Sequence, residues 1–583
     1  MKVNKTNLMA LILLAVMAAT AFLSLKQDSL TFDELAHIPA GYSYLIKQDY
    51  RVNPEHPPLI KDISAIPLLF LGLNFPDGSP NWLQPEAPAW WVQFDLGREF
   101  LYGSGNNPRQ IILWSRSAMI GLLILLGWFL FYWARQIGGN TVALGVLALF
   151  AFSPTFLAHG RLVNTDIGAV LGALIAIFFW LKFLKLPHWQ NIWLAGIGFG
   201  LAMVLKFSLV LLIPFLVIIT PLYAILFSEK NKALKLIISY AGKALLAALV
   251  GVIFVIWPIY QFHVLNYPPE QQLRDTLADI SGYPLPIMKD INLWLTQQQP
   301  FRGLGQYLRG LLMASQRTVW GNTAVFMGEI SAGSWLHYFP LLYLFKVPLA
   351  FHILTLIALM GAIWGIKIWG IKRLKNNFIV LAFLVWILVY WLAALLGNLN
   401  IGVRHLLPVF PFIYLLVVLG INRLISLIKL PKLKQSLLVL VFILFGWYIA
   451  SSLSAFPHYI PYYNELAGGT KQGYKIAVDS NYDWGQDFYR LLDFVEKNKI
   501  DKIYLDYFGG EDPQYWLGEK YLKLNPREEE LPQGWLAVSL NQFMGGMAKP
   551  APDFDQETGY YNWLKEQRPV ARAGYSIFIY YLD

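Results

Sequence analysis

Apolar residues fall along the chain in eleven blocks of roughly 20, the helix length that crosses a hydrocarbon core of about 30 Å. The blocks are 7–25, 111–133, 140–158, 165–185, 192–205, 207–227, 236–260, 341–365, 378–397, 405–428 and 435–455. They predict an α-helical polytopic membrane protein with about eleven transmembrane helices. Lys2 and Lys5 precede the first block in the manner of a signal peptide, but its apolar stretch is long for one and is read as an uncleaved helix. Three long polar segments remain, 26–110, 261–340 and 456–583. The last alternates apolar and polar residues at 474–480, 502–507, 535–541 and 576–581, with a helical pattern at 484–499. That predicts a small α/β domain after a membrane domain spanning 1–455.

Composition supports this reading. Of 583 residues, 56% are hydrophobic, 16% aromatic and only 14% charged, so a water-soluble fold would expose large apolar patches. Disorder and a coiled coil are excluded by the same figures. The absence of cysteine removes thiol nucleophiles, thiolate zinc sites and iron–sulfur clusters.

The net charge of +10 raises the possibility of a nucleic-acid partner until the charges are placed. With the N-terminus inside, the inner segments are 1–6, 134–139, 182–191, 228–235, 366–377 and 423–434. They hold sixteen Lys and Arg against one acid, Glu229, a net +15 in a chain whose total is +10. The basic balance is thus a positive-inside signal, with no nucleic-acid footprint. It predicts a cytoplasmic N-terminus and an extracytoplasmic C-terminal domain in a cell membrane.

Several ionisable residues lie at span ends on the outer side: Arg116, Arg161, Asp166, Lys206, Lys346, Arg404 and His405. Each alone could snorkel to lipid headgroups. Together they point to one outward-facing cavity, and its cations suit a phosphate near the membrane surface. In the first outer loop, TFDELAHIPAGYSYL (31–45) places Asp33, His37, Gly41 and Tyr44 on one helical stripe. Asp33 and Glu34 are the candidate catalytic carboxylates. Thr31 and Glu34 also form a T-x-x-E capping box, in which Glu34 is a cap and Asp33 complements the helix dipole. DYRVNPEHPPLIK (49–61) holds Glu55 and His56 in a Pro-stiffened turn, where a carboxylate beside an imidazole could bind a divalent metal ion. A plain polyproline turn explains the same residues. Segments 64–75 and 89–102 are amphipathic and suit a membrane-surface rim. In the tail, Asp483 with Gln486 reads as a helix cap, and the acidic cluster Asp479, Asn481 and Asp483 as structural. Asp553-Phe-Asp555 lies in a Pro-containing loop and does not read as a metal site.

These residues resemble glycosyltransferase family 39, a GT-C fold family that includes the protein O-mannosyltransferases and the lipid A aminoarabinose transferase. Asp33-Glu34 after the first span looks like its signature, and D-Y-x-x-N-P-E-H-P-P-L resembles its first loop. Arg161 and Asp166, Lys206 in GLAMVLKFS, Lys346-Val-Pro348 and the run from Gly402 to Pro408 are similar to its later motifs. ELAGG (465–469) and DSNYDWGQD (479–487) look like the tail of bacterial members. The 261–340 segment lacks the carbohydrate-binding module of eukaryotic mannosyltransferases, and the tail does not match the aminoarabinose transferase. The resemblance implies transfer of a sugar from a polyprenyl-phosphate carrier to an extracytoplasmic hydroxyl of a protein, lipid or glycan acceptor, with inversion. Arg404 and Lys206 would engage the donor phosphate, with Arg161 or Lys346 assisting. Asp33 would act as general base, and His37, Asp166 and His405 would complete the site.

Two readings from other classes compete. A lipid or sugar transporter or flippase also needs intramembrane charge, but often shows inverted repeats, and no repeat is visible here. A receptor with an outer α/β domain leaves the intramembrane charges without a task.

Overall fold

The computed structural model describes residues 4–83, 89–229, 232–369, 375, 377–527, 532–552 and 554–583. Lys2, Lys230, Lys372, Arg373 and Asp553 lie outside the described residues. Among the described residues, eight helices are long and apolar enough to cross a membrane, nine when the bent pair Tyr338–Lys346 and Leu349–Trp364 counts as one span. The expected span 111–133 and the first part of 140–158 fall within one helical run, Pro108–Ala151, whose backbone leaves the helical region at Gly139 (φ 77, ψ −170), while the rest of 140–158 continues into a separate short helix, Pro154–His159. Another, 192–205, is the helix Trp189–Leu205, which at 17 residues is short for a full crossing.

Local chemistry sets the helix ends that matter for the site. Asn107 caps the long helix through Gln110 N at 3.2 Å, with Pro108 following at the first helical position. Lys206 ends Trp189–Leu205 in an extended conformation before the chain re-enters a helix at Phe207. The 106° bend after Lys346 falls at Val347, which is held extended by the following proline. Small residues allow close packing in the bundle. A Cβ on Gly196 would lie 2.4 Å from the Ala247 carbonyl oxygen, and one on Gly200 2.7 Å from that of Gly251.

The polar segments gather at one end of the bundle. Segment 26–110 contributes the helices Glu34–Lys47, Leu59–Ala65 and Ala89–Arg98. The expected amphipathic stretch from 64 becomes a 3₁₀ turn whose Ile66, Leu69 and Phe70 are exposed. Segment 261–340 supplies Pro269–Ile280, Pro286–Gln297 and Arg302–Trp320, then a hairpin whose second strand, Glu329–Ser331, pairs with tail residues Lys549–Pro550.

The tail carries a five-stranded sheet in the order 521–523, 503–506, 534–539, 577–582, 571–573. The helix Phe488–Lys497 packs Phe488, Leu491 and Val495 onto Ile503, Ala537 and Ile579 of that sheet. Three of the four expected strands are present. The fourth, 474–480, is instead a chain of 3₁₀ turns with one bridge, Phe326 to Ala477. Its neighbours are membrane-domain groups: Asn481 Oδ1 accepts from Val403 N at 2.9 Å, and the Asn481 carbonyl accepts from Lys346 Nζ at 2.7 Å. These bonds pull the segment away from the sheet and across the end of the bundle.

Candidate active site

Four charged side chains from distant parts of the chain meet under this tail segment. Asp33 precedes the helix Glu34–Lys47 but makes no cap bond with its side chain, so its carboxylate is not committed to helix capping. Its Oδ2 accepts from Arg404 at 3.0 Å. Arg404 lies on the 3₁₀ stretch Val403–Val409, and the same nitrogen is 3.4 Å from Asp166 Oδ2. Asp166 opens the helix Asp166–Lys185, and its other oxygen is paired with Lys206. The cluster thus alternates in sign, Lys206–Asp166–Arg404–Asp33, with Asp166 about 1% and Arg404 about 7% exposed. Buried charge of this kind persists only when paired. Asp33, with its side chain 25% exposed, is the member facing open space. His405 adjoins the cluster, and its Nε2 has no hydrogen-bond partner among the described residues.

The tail completes the wall. Ser480 Oγ accepts from Arg404 Nε at 3.2 Å and donates to the Ile401 carbonyl at 2.7 Å. The Trp484 ring lies 4.3 Å from the Arg404 guanidinium carbon, a cation–π stack that fixes the plane of the group. The Trp484 carbonyl accepts from Phe32 N at 3.1 Å, tying the tail to the residue before Asp33. Sequence reasoning missed Ser480 and Trp484 as site residues. The run DSNYDWGQD stands out in the sequence, but its partner Arg404 is 76 residues from Ser480. The expected Asp483 cap is also corrected. The helix starts at Phe488, and Asp483 instead accepts from Ser539 Oγ, Asn541 N and Gly485 N.

Other expected site residues are placed elsewhere. Glu34 is fully buried and accepts from Arg116 at 2.9 and 2.6 Å, from Val163 N at 2.9 Å, and from Thr31 N and Oγ1 at 3.0 and 2.9 Å. Burial opposes its charge, yet Arg116 and these donors hold its pKa below the usual carboxylate range. It makes the return bond of the capping box and anchors Arg116, so its oxygens are all in use. Arg161 is ion-paired to Asp28 at 2.6 Å, and Asp28 also binds Arg490 of the tail at 2.9 Å. Lys346 donates to the carbonyls of Ile460 and Asn481, both at 2.7 Å, and so supports the tail segment from beneath. Neither joins the Arg404–Lys206 pair. His37 donates through Nδ1–H to the Val163 carbonyl at 2.9 Å, and its ring meets that of His56 edge-on at 5.1 Å. Burial lowers the pKa of both histidines and keeps them neutral.

Glu55 and His56 do not fit a metal ion. Glu55 is held by Arg317 at 3.1 and 3.2 Å and by Trp90 Nε1 at 3.1 Å. No group of three His, Asp or Glu suited to a metal occurs among the described residues.

Residues 104–257 match the family model described as dolichyl-phosphate-mannose-protein mannosyltransferase. The chain aligns with the S. cerevisiae protein O-mannosyltransferase Pmt1-Pmt2 complex bound to the sugar donor at a TM-score of 0.55. That match has 12% identity and covers 78% of this chain and 90% of the other. ArnT from Cupriavidus metallidurans bound to undecaprenyl phosphate aligns at 0.45, with 11% identity over 98% of this chain and 97% of that one. AglB from Archaeoglobus fulgidus aligns at 0.44, with 12% identity over 92% and 71%. No curated protein matches the sequence. The chain is a multi-pass membrane protein with the GT-C glycosyltransferase fold.

Proposed function

We propose that the protein is an integral membrane glycosyltransferase. It moves a sugar from a polyprenyl-phosphate carrier to an extracytoplasmic hydroxyl on a protein, lipid or glycan. The observation that carries this reading is the Lys206–Asp166–Arg404–Asp33 cluster at the tail-bearing end of the bundle. Arg404 and Lys206 can hold a phosphate delivered by a lipid, because a planar guanidinium binds two phosphate oxygens and an ammonium a third. The phosphate competes with Asp33 for Arg404, so donor binding frees the carboxylate. The acceptor hydroxyl then attacks the anomeric carbon from the face opposite the phosphate. The bond from that carbon to the phosphate oxygen breaks, its electron pair leaves on the phosphate, and the hydroxyl proton passes to Asp33. Arg404 and Lys206 stabilise the charge that develops on the leaving phosphate. One such displacement inverts the anomeric centre. A flippase reading is not favoured, since these charges are locked to one another at one end of the bundle instead of lining a path through it.

Arg404→Ala is expected to weaken binding of undecaprenyl phosphate by about 1.5–3 kcal/mol, the range for a hydrogen bond to a charged group. Carrier affinity at the wild-type level in folded variant would remove Arg404 from the donor site. For orientation, the sixteen cations of the inner segments support a cytoplasmic N-terminus. Reporter fusions at residue 232 and at the C-terminus are expected on opposite sides of the membrane. Both on one side would mean that a crossing between them has been miscounted.

A further inference from the structure

Asp479 is the tail residue that precedes Ser480, and its backbone lies in the left-handed region with φ 53. Outside glycine this conformation is uncommon, and Asp and Asn are among the few side chains that adopt it. The backbone is held there by the Asp479 N–H, which donates to Asn541 Oδ1 at 3.2 Å. The carboxylate accepts from the N–H of Ser480 through Oδ1. Among the described residues it has no other hydrogen bond and no cation within ion-pair distance. Facing it are Arg404 of the 3₁₀ stretch, Asp33 of the first loop, Arg317 at the end of Arg302–Trp320, and Tyr338. It is thus a second carboxylate close to Arg404, one residue from the serine that touches that proposed phosphate-binding side chain. Burial, only partly offset by Arg404, raises its pKa to about 6, as expected for a carboxylate whose charge the protein itself does not fully compensate.

We propose that Asp479 recognises the donor sugar: its carboxylate accepts hydrogen bonds from hydroxyl groups of the sugar whose phosphate lies on Arg404 and Lys206. This rests on the donor-binding reading above. The sugar is joined directly to that phosphate, so its ring lies within reach of the groups around Arg404. Ser480 bonds Arg404 Nε, and Asp479 is the adjacent group. An ionised carboxylate offers only acceptors, which match a hydroxyl-bearing ring, and a charge-assisted hydrogen bond is stronger than a neutral one. A site built to bind sugar hydroxyls rejects a carrier that lacks them. A purely structural role would need only an oxygen for the Ser480 N–H, which asparagine supplies equally well.

Binding of undecaprenyl phosphate, undecaprenyl-phosphate mannose and undecaprenyl-phosphate glucose to the purified full chain tests the assignment. Asp479→Gly and Asp479→Asn both tolerate the left-handed backbone. Wild type is expected to bind one of the sugar carriers at least about tenfold more tightly than the bare carrier, as for a charged hydrogen bond. The glycine variant is expected to lose that preference and the asparagine variant to lose much of it, while both still bind the bare carrier. A preference that persists in Asp479→Gly overturns the assignment. So does a wild type with no preference for either sugar carrier, or an equal loss for bare and sugar-bearing carriers in the variants. Failure of wild type to bind undecaprenyl phosphate at all would instead overturn the donor-site reading itself.

Discussion

Replacing Asp33 by asparagine is expected to lower sugar transfer by about 100-fold or more, the scale of losing a positioned general base. Asparagine keeps the shape and can still meet Arg404, but it cannot take the acceptor's proton. In the resting protein Asp33 occupies Arg404 at 3.0 Å, in the place where the donor phosphate is proposed to bind. Removing its charge therefore removes a competitor, and carrier affinity is expected to hold or rise while turnover collapses. This opposite movement of binding and rate separates a base from a structural ion pair, whose loss would disorder Arg404 and weaken both. Transfer rate and undecaprenyl phosphate affinity measured on the same preparation decide the matter. An Asp33→Asn protein with near-normal turnover would place the base elsewhere, with Asp166 or Glu55 the next carboxylates to examine.

Glu34→Gln is expected to act on stability and not on chemistry. Glu34 and Arg116 are both fully buried, and Arg116 also donates to the carbonyls of Asp28 and Ser29 at 2.7 and 2.8 Å. The pair thereby ties the first loop to the long helix and to Val163. Removing one charge leaves a buried guanidinium without its counterion, a loss of about 3–5 kcal/mol. Thermal unfolding in detergent should show a clear drop for Glu34→Gln, with partial recovery when Arg116→Met is added. At matched amounts of folded protein, specific activity should stay near wild type. A stable Glu34→Gln protein with no activity would return Glu34 to the catalytic role suggested by its place beside Asp33.

The membrane architecture was legible in the sequence because each apolar block is a local signal of known length. Deviations came from single residues: Gly139, which breaks one long helix, and Val347 before Pro348, which bends another. The candidate site was legible as a set of residue types but not as a set of pairs. Arg116, Arg161, Lys206, Lys346 and Arg404 look alike as cations near span ends. Which acid or carbonyl each one meets depends on contacts 82 residues away for Glu34 and 371 for Asp33. Of these five, Arg404 meets the open carboxylate Asp33, and Lys206 joins it through Asp166. The tail segment 474–480 carries the alternation of a strand in its sequence. The competing bonds to Val403 and Lys346 come from the membrane domain and leave no local trace. For the same reason the cluster around Asp479 reads as structural in isolation and acquires a chemical role only beside Arg404.

Sugar transfer from a lipid carrier is decided by the fate of the donor. The purified chain is reconstituted into liposomes holding radiolabelled undecaprenyl-phosphate mannose or glucose, together with a membrane and secreted-protein extract as acceptor. Release of undecaprenyl phosphate is expected, with the label appearing on a hydroxyl-bearing acceptor or as free sugar, and that release is expected to be lost in Asp33→Asn. An intact donor that moves from one leaflet to the other, equally in wild type and Asp33→Asn, would contradict it.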